Sequence, residues 1–421
     1  MSAPKLKAPR GTHDVLPAAA CARVRVEERA RALLQGAGYE RIETPCFEAT
    51  ELFARGVGAS TDIVQKEMYT FTDGGGRSLT LRPEGTAPVC RAYVEHGMHK
   101  LRQPVKLWYL SSFFRYERAQ AGRQRQFWQV GAEALGSHEP ALDAESIVLL
   151  CELLRELDVA GVRLRISSLG GQDARAEYRE RLRQHLRAHA EQLAPEVRER
   201  IDLNPLRAFD SEHPGTRAVM ADAPRLLDHL SEDDAAHFAE VQALLDEAGV
   251  AYEVDATLVR GLDYYTRTVF ELTSDALGAQ SGVGGGGRYD GLVAQLGGPP
   301  TPGMGWAAGI ERILLAGGAQ GAAAPAIDLF LACDGERGTR VAFAVLHEAR
   351  GAGLTAQMEL AGRSLKNQLA HASRLGARYV AIFDASVSGG AVVLRDLQGG
   401  SQETVPGETV VHAVLRGLRD L

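Results

Sequence analysis

The 421-residue chain has few cysteines, and they form no recognisable site. Cys21, Cys46, Cys90, Cys151 and Cys333 are widely scattered without a C-x-x-C pair, so neither a zinc site nor a disulfide framework is indicated. No apolar run approaches the ~20 residues that a membrane helix needs, and no membrane span is expected. The N-terminal stretch MSAPKLKAPRGTHDVLP is basic but contains no apolar segment. No signal peptide is therefore expected, and a cytoplasmic location is. A Walker A motif is missing as well, so a nucleoside triphosphate would have to be held by arginines rather than by a glycine loop and its lysine. Nor is there an excess of positive charge: the formal net charge of −7 gives no bulk electrostatic footprint for nucleic acid, which leaves local basic patches as the only route to such a partner. With 45% hydrophobic and 24% charged residues, the composition is that of an ordinary globular protein, and the length suits two or three domains with a substantial core.

Glycine is plentiful in one place. The stretch SGVGGGGRYDG, Ser281 to Gly291, sets Gly282, Gly284 and Gly287 in the G-x-G-x-x-G spacing of a dinucleotide-binding turn. That spacing carries weight only where a strand opens into a helix near the start of a doubly wound sheet. Here it lies two thirds of the way along the chain, behind TRTVFELTSDALGAQ, which reads as a β-hairpin. The other use of such glycines is to let backbone approach a ligand or another strand closely.

The periodicity of the rest outlines the architecture. VRVEERARALLQGAGYE carries Val26, Ala30, Leu33 and Leu34 on one helical face and stops at Gly36 and Gly38. SLTLRPEGTAP begins as a strand and turns at Pro83. Val105 to Arg115 and RQFWQVGAEALG form the two arms of a long hairpin whose loop is studded with arginines. From Gly170 to Asp255 the texture is helical, with a stripe of Tyr178, Leu182, Leu186 and Leu193, and the segment reads as an insertion. Strand-like sequence resumes at LVRGLDYYTRTVFEL. Residues 317–326 read as a Gly/Ala-rich linker, and residues 327–421 as a small α/β domain with a largely parallel sheet. The expected organisation is α+β: a first catalytic part over 1–169, the helical insertion over 170–255, a second catalytic part over 256–316, the linker and the C-terminal domain.

Four groups of residues are able to carry chemistry. Arg115, Arg118, Arg123 and Arg125 fall within eleven residues, opposed only by Glu117. On a hairpin they suit a clamp for several anionic oxygens, and read alone they equally suit a solvated basic loop. Glu84 follows a strand and a proline turn, while Gln129 and Glu133 share one face of the returning strand by their even spacing. Two carboxylates beside arginines would bind an ammonium and a second N–H group of one small ligand, or simply pair with the arginines. In LVRGLDYYTRTVFE, Arg260, Asp263, Tyr264 and Tyr265 lie between an apolar dipeptide and a strand; tyrosines so placed are more often core residues than ligand contacts. In GMGWAAGIERILL, small residues precede a helix bearing Glu311 and Arg312.

In this order the stretches resemble the histidyl-tRNA synthetases, a family of class II aminoacyl-tRNA synthetases, along nearly the whole chain. APRGTHD, LRPEGT, FRYERAQAGRQRQFWQ, LVRGLDYYT, GGGGRYDGL and GMGWAAGIERILL are similar to the family's N-terminal signature, substrate loop, class motif 2, two histidine motifs and class motif 3. ERIETPCFEATELF is similar to the looser class motif 1 of the dimer interface, and Ala119 departs from the proline usual in the motif 2 loop. The resemblance implies an antiparallel catalytic sheet flanked by helices, in which the glycine strand floors a histidine pocket. It further implies activation of histidine by ATP with Mg²⁺, transfer to the 3′ end of histidine tRNA, an anticodon-binding role for the C-terminal domain, and a homodimer. By the same resemblance Arg115 and Arg260 are catalytic, and Arg115, Glu117, Arg123 and Arg312 bind ATP. Glu84, Thr86, Gln129, Glu133, Tyr264, Tyr265 and Tyr289 bind histidine, Arg118 and Gln120 meet the tRNA acceptor end, and no metal ligand is assigned. The alternative is the catalytically inactive paralogue that regulates ATP phosphoribosyltransferase. It shares the catalytic fold but usually lacks the C-terminal domain and has degraded histidine motifs, whereas both are intact here.

Arg260 follows two apolar residues and precedes a glycine, a poor place for a surface charge and a good one for a guanidinium aimed into a pocket. A buried arginine demands an anionic partner, and the α-phosphate is the natural candidate. Removing one preorganised donor of this kind costs about a hundredfold to a thousandfold in rate. Arg260→Ala is accordingly expected to slow adenylate formation by at least that order, with a smaller effect on transfer from preformed adenylate. Near wild-type adenylate formation by a folded Arg260→Ala protein in rapid-mixing kinetics would reduce Arg260 to a structural ion-pair residue.

Overall fold

The computed structural model describes residues 5–58, 61, 63–117, 120, 122–203, 205–258, 261–278, 281–319, 326–384 and 390–419. They divide into two compact units, Met1–Ala322 and Ala323–Leu421. Among the described residues no helix is long and apolar enough to cross a membrane.

The first unit is built on an eight-stranded sheet. Its spatial order is Glu40–Arg41, Val105–Phe114, Gln126–Leu135, Gly303–Gly309, Gly282–Arg288, Thr266–Ser274, Val162–Ser168 and Glu253–Val254. The six long strands pair antiparallel, and only the two-residue strands at the edges run parallel to their neighbours. Because side chains alternate across a strand, each long strand feeds two different surroundings. In Gln126–Leu135, Val130, Ala132 and Ala134 enter a core with Val26, Ala30 and Leu34 of helix Pro17–Gly36 and with Ile147, Leu150 and Leu154 of helix Pro140–Glu156. Phe127 and Leu135 belong to a second cluster with Tyr109, Tyr265 and Tyr289, and Gln129, Gly131 and Glu133 share their parity. Helices Pro17–Gly36 and Pro140–Glu156 thus cover one face of the sheet, and the other carries the polar site.

Three features differ from the expected organisation. Helices Gln172–Ala188, Pro195–Arg198, Pro214–Ala221 and Glu232–Glu247 follow one another through the segment expected as an insertion, but the last is not set apart. Its Phe238, Val241 and Leu245 are buried in the main core beside helix Pro140–Glu156, and Glu253–Val254 closes one edge of the large sheet. An amphipathic pattern predicts a helix without naming the surface that receives its apolar face. The start of the Gly/Ala-rich stretch is likewise packed: Ala316 and Ala319 are buried, and the Ala319 N–H donates to the Leu157 carbonyl at 2.8 Å. Alanines there are small enough to seat against the helix end; residues 320–325 lie outside the described ones.

In the second unit the sheet order is Ala356–Met358, Leu329–Cys333, Tyr379–Phe383, Ala391–Asp396 and Gln402–Pro406. The first three strands are parallel, but the last two run antiparallel, so the sheet is mixed rather than largely parallel. Too few residues separate YVAIF from AVVLRD for a crossover helix, and a short connection returns a strand antiparallel. Helices Gly335–Gly351 and Val410–Arg419 pack with one face, and Leu365–Arg374 with the other.

The glycine strand ends in a wholly buried guanidinium. Arg288 has no exposed side-chain surface and pairs with the equally buried Asp143 of helix Pro140–Glu156, its Nε lying 3.1 Å from Oδ1. Its Nη1 also donates to the Ser137 carbonyl at 2.9 Å. Breaking such a pair from one side strands a buried charge, at a cost of about 3–5 kcal/mol. Arg288→Met is therefore expected to lower the melting temperature of the first unit markedly, and adding Asp143→Leu to recover much of the loss. Unchanged melting of the single variant would show that the pair does not hold strand to helix.

Candidate active site

An open cleft of about 600 Å³ lies over the glycine strand and the long hairpin. Arg115, Glu117, Arg123, Gln129, Glu271 and Arg312 all line it. The hairpin Val105–Phe114/Gln126–Leu135 presents the first two arginines from either side of its tip. Arg115 is fixed below by its Nε donating to the Pro83 carbonyl at 2.9 Å, and its guanidinium lies 5.3 Å from the centre of the Phe127 ring. Glu117 sits between the arginines, 3.2 Å from Arg123 Nε and 3.8 Å from Arg115 Nη1. From the opposite wall Arg312 donates to the Gly122 carbonyl at 3.3 Å and to the Gly282 carbonyl. Burial, then the neighbouring Arg123 charge, holds the Arg312 guanidinium below its usual range, and Glu117 and Glu271 oppose that shift. Three guanidinium groups converging on one cleft repel one another, and a multiply charged anion relieves that repulsion.

Beneath the cleft lies a buried polar cluster. Glu133 is wholly buried in the middle of the sheet. Tyr289 Oη donates to its Oε2 at 2.6 Å, Thr86 Oγ1 to its Oε1 at 2.8 Å, and Tyr109 Oη to Oε1 at 3.3 Å. Glu84 accepts the Thr86 and Ala87 backbone N–H groups at 2.7 and 3.0 Å, where a negative charge meets the N-terminus of helix Thr86–Glu95. Tyr264 Oη donates to Glu84 at 3.4 Å. Burial pushes the Glu133 carboxyl up to about 8; the Tyr289, Thr86 and Tyr109 hydroxyls pull it down, and the Glu84 charge pushes with burial. Burial also raises Glu84, against its two backbone N–H donors and the Arg115 charge. Space for these side chains comes from glycines: a Cβ at Gly131 or Gly85 would overlap the Tyr109 ring, one at Gly303 the Tyr289 ring, and one at Gly305 the Glu133 carboxylate.

The candidate residues therefore fall into two adjoining groups. Arg115, Glu117, Arg123, Arg312 and Gln129 share the open cleft. Glu84, Thr86, Glu133, Tyr264 and Tyr289 are hydrogen-bonded together below it, and the Tyr265 ring packs 4.8 Å from that of Tyr264. Gln120 is exposed at the hairpin tip, bridged to Arg123 through the backbone. Arg118, Ala119 and Arg260 lie outside the described residues; Gly261, next in sequence to Arg260, lines the cleft. The G-x-G-x-x-G spacing forms no dinucleotide turn, because Gly282–Arg288 pairs antiparallel with a strand on each side.

Two polar members were not anticipated. Tyr109 stands opposite Gly131 across the hairpin, so the tyrosine–glycine register was a usable signal. Glu271 lines the cleft from strand Thr266–Ser274, 2.5 Å from Arg165, and nothing in its local sequence sets it apart. Glu311, noted with Arg312, accepts the Trp128 N–H at 3.0 Å and pairs with Arg23 at 2.5 Å. Among the described residues no group of three or more His, Cys, Asp or Glu side chains is arranged to hold a metal.

Residues 11–313 match the family model described as histidyl-tRNA synthetase, and residues 332–416 the one described as anticodon binding domain. The antiparallel sheet over which the arginine cleft opens is thus that of a class II aminoacyl-tRNA synthetase. The histidine–tRNA ligase of Halothermothrix orenii is 46% identical over 401 residues, spanning 94% of this chain and 96% of its own. The crystal structure of apo S. aureus histidyl-tRNA synthetase aligns with a TM-score of 0.82 at 35% identity, over 97% of this chain and 100% of that one. An ATP phosphoribosyltransferase regulatory subunit/histidyl-tRNA synthetase from Bacillus halodurans aligns with a TM-score of 0.66 at 22% identity, over 92% and 100%, a likeness of fold alone. The chain belongs to the histidyl-tRNA synthetase family.

The raised Glu133 carboxyl makes stability depend on pH. Between its ordinary value of 4.5 and about 8 the folded protein binds a proton there that the unfolded chain has released, so this group's contribution falls as pH rises through that window and is level above it. The melting temperature of the ligand-free protein is expected to lose this contribution from pH 5 to 8, and Glu133→Gln to flatten that part of the slope. Parallel melting profiles for the two proteins would show that Glu133 is ionised throughout.

Proposed function

We propose that this chain is a histidine–tRNA ligase, with the cleft and the buried cluster as its ATP and histidine sites. In the first step a histidine carboxylate oxygen attacks the α-phosphorus of ATP, a new P–O bond forms, and the bond to the leaving pyrophosphate breaks. In the second the terminal ribose hydroxyl of tRNA attacks the histidyl carbonyl and AMP departs. The observation that carries the reading is the adjoining of two unlike groups: the wholly buried Glu133 with its hydroxyl donors, and an arginine-lined cleft whose Arg115 is fastened to the Pro83 carbonyl next to Glu84.

Arg115 holds the α-phosphate and the histidine carboxylate in line, and Arg260 takes the charge that reorganises on that phosphate. Glu117 reads the adenine amino group. Arg123 and Arg312 hold the triphosphate tail, where negative charge builds on the leaving group. Glu84, Thr86 and Gln129 receive the α-ammonium; Glu84 retains lone-pair capacity beyond its three present donors. Glu133 and Tyr265 pair with the imidazole, and Tyr264 and Tyr289 wall the pocket. A site that pairs both polar ends of an imidazole leaves buried groups unsatisfied with any other side chain, which supports rejection by roughly four or five powers of ten without editing. Arg118 and Gln120 meet the acceptor end, and the second unit takes the anticodon.

Mg²⁺ accompanies ATP in this reading. It is a hard cation that takes one or two carboxylates and completes its shell with phosphate and water, and a cleft carrying Glu271 and Glu311 fits that requirement. It supplies neutralisation of phosphate charge. A cytoplasmic homodimer completes the proposal. Phe47 and Phe71, about half exposed and edge-to-face at 6.2 Å on the small sheet Phe47–Ala49, Ser78–Leu81, Tyr69–Thr72, support a subunit contact there. The regulatory-paralogue reading is less supported, since the likeness on that side is of fold only.

Histidine-dependent ATP–pyrophosphate exchange tests the reading, because a protein that only regulates or only binds RNA has none. Losing one charge-assisted hydrogen bond costs about 1.5–3 kcal/mol. Glu133→Gln is therefore expected to raise KM for histidine roughly tenfold or more while KM for ATP stays within about twofold. An equal rise for both substrates would remove Glu133 from the histidine site.

A further inference from the structure

Resting on that reading, we propose that Arg175 is a positioning residue for histidine selection: from the first helix of the helical segment it holds the backbone on both sides of Tyr264. Helix Gln172–Ala188 starts just beyond strand Val162–Ser168, after Gly170 at φ +61°. One turn in, the Arg175 side chain is only 12% exposed. Its Nη1 donates to the Asp263 carbonyl at 2.6 Å and to the Tyr265 carbonyl at 2.8 Å, and its Nη2 lies 3.6 Å from the Asp263 carboxylate.

Those carbonyls belong to a stretch with no sheet ladder of its own. Strand Thr266–Ser274 begins after Tyr265, and the Asp263 N–H goes to the Val57 carbonyl at 3.2 Å. The guanidinium supplies the hydrogen bonds that a neighbouring strand would otherwise give. Burying a cation for this purpose is costly unless it is well paired, and core packing does not require it. A second contact flanks the first. Arg267, at φ +47°, donates its Nε to Asp234 at 2.8 Å; Asp234 also accepts the Gly171 N–H at 2.8 Å, and the Arg267 N–H donates to the Gly170 carbonyl at 2.8 Å. The start of the helical segment is thereby fastened on both sides of Tyr264–Tyr265.

What hangs from that backbone is the histidine cluster: Tyr264 Oη on Glu84, and the Tyr264 ring 4.8 Å from Tyr265 and 5.7 Å from Tyr289. Arg175 does not line the cleft that holds the ATP candidates. A shift of its grip therefore moves the histidine pocket and leaves the arginine clamp in place. By reciprocity, occupancy of the pocket is felt at the helix.

The test uses full-length wild type, Arg175→Met and Arg175→Lys in pyrophosphate exchange, with hydrogen exchange of residues 172–188 measured with and without histidine alone. Misplacing a positioned group by about 1 Å costs on the order of a hundredfold. Arg175→Met is expected to raise KM for histidine roughly tenfold to a hundredfold with KM for ATP within about twofold. Arg175→Lys, which keeps a cationic donor on the same stem, is expected to restore most of the loss. Histidine is expected to slow exchange of the helix in wild type and less so in Arg175→Met. Equal rises in both KM values, unchanged KM values, or a lysine variant no better than the methionine one would overturn the proposal. Should Arg175→Met fail to fold, Arg175→Gln takes its place: a histidine-selective rise in KM supports the proposal, and unchanged KM values or an equal rise in both overturns it. A wild-type protein without histidine-dependent exchange defeats the functional reading instead, whereas an active wild type with unaffected variants defeats only the inference.

Discussion

A carboxylate without exposed surface in the middle of an antiparallel sheet is the constraint around which the first unit is organised. Isolated, an ionised Glu133 would cost several kcal/mol in desolvation. The chain offsets part of that cost with three hydroxyls from three separate elements: Tyr109 on the adjacent strand, Thr86 at a helix start and Tyr289 just beyond the glycine strand. Each donor then imposes its own requirement. The tyrosine rings need room at the backbone, which Gly85, Gly131 and Gly303 provide, and the carboxylate itself needs Gly305 opposite it. These four glycines are therefore consequences of one buried acid as much as of any ligand.

The same acid sets the electrostatic order of the site. The carboxyl groups of Glu84 and Glu133 lie deep, where burial keeps both above the usual carboxylate range, while Arg115, Arg123 and Arg312 lie in the open cleft. Arginines in an open cleft attract anionic groups, whereas a cation brought beside the buried carboxyls favours their ionised form. Arg115 joins the layers. Its Nε is fastened to the carbonyl of Pro83, the residue before Glu84, and its charge acts on that carboxyl.

How much of this was legible in the sequence follows from how local each determinant is. The hairpin with Arg115 and Arg123, the even spacing of Gln129 and Glu133 and the helix Pro17–Gly36 rest on periodicity within a few residues, and each is found as the pattern implies. Parity also explains why Gln129 and Glu133 share a face while Val130 and Ala132 feed the opposite core. What the pattern withheld was long-range pairing. Tyr109 looked like any apolar strand residue until the register set it opposite Gly131, and Glu271 became a cleft residue only through the order of strands. The Arg288–Asp143 pair joins residues far apart in sequence, and neither local context announces a buried charge. Helix Glu232–Glu247 was visible as a helix, but its place in the main core depended on a partner that its own sequence does not specify.

These determinants also differ in rigidity. Glu133 and Tyr109 belong to long ladders in the middle of the sheet, and the buried Arg288–Asp143 pair clamps the glycine strand to a core helix. Tyr264 and Tyr265 do not. They sit just before the ladder of their strand begins, and the Asp263 and Tyr265 carbonyls on either side of Tyr264 accept from a side chain on the helical segment. A floor made of ladders and buried ion pairs resists displacement, since moving it breaks many hydrogen bonds together, whereas a stretch held by a few side-chain contacts opens at lower free energy. The buried cluster thus combines a fixed acid with a pair of tyrosines whose placement depends on an element outside the sheet. Within the first unit that stretch is where an influence from the helical segment can reach the buried polar cluster without disturbing the arginines that line the cleft.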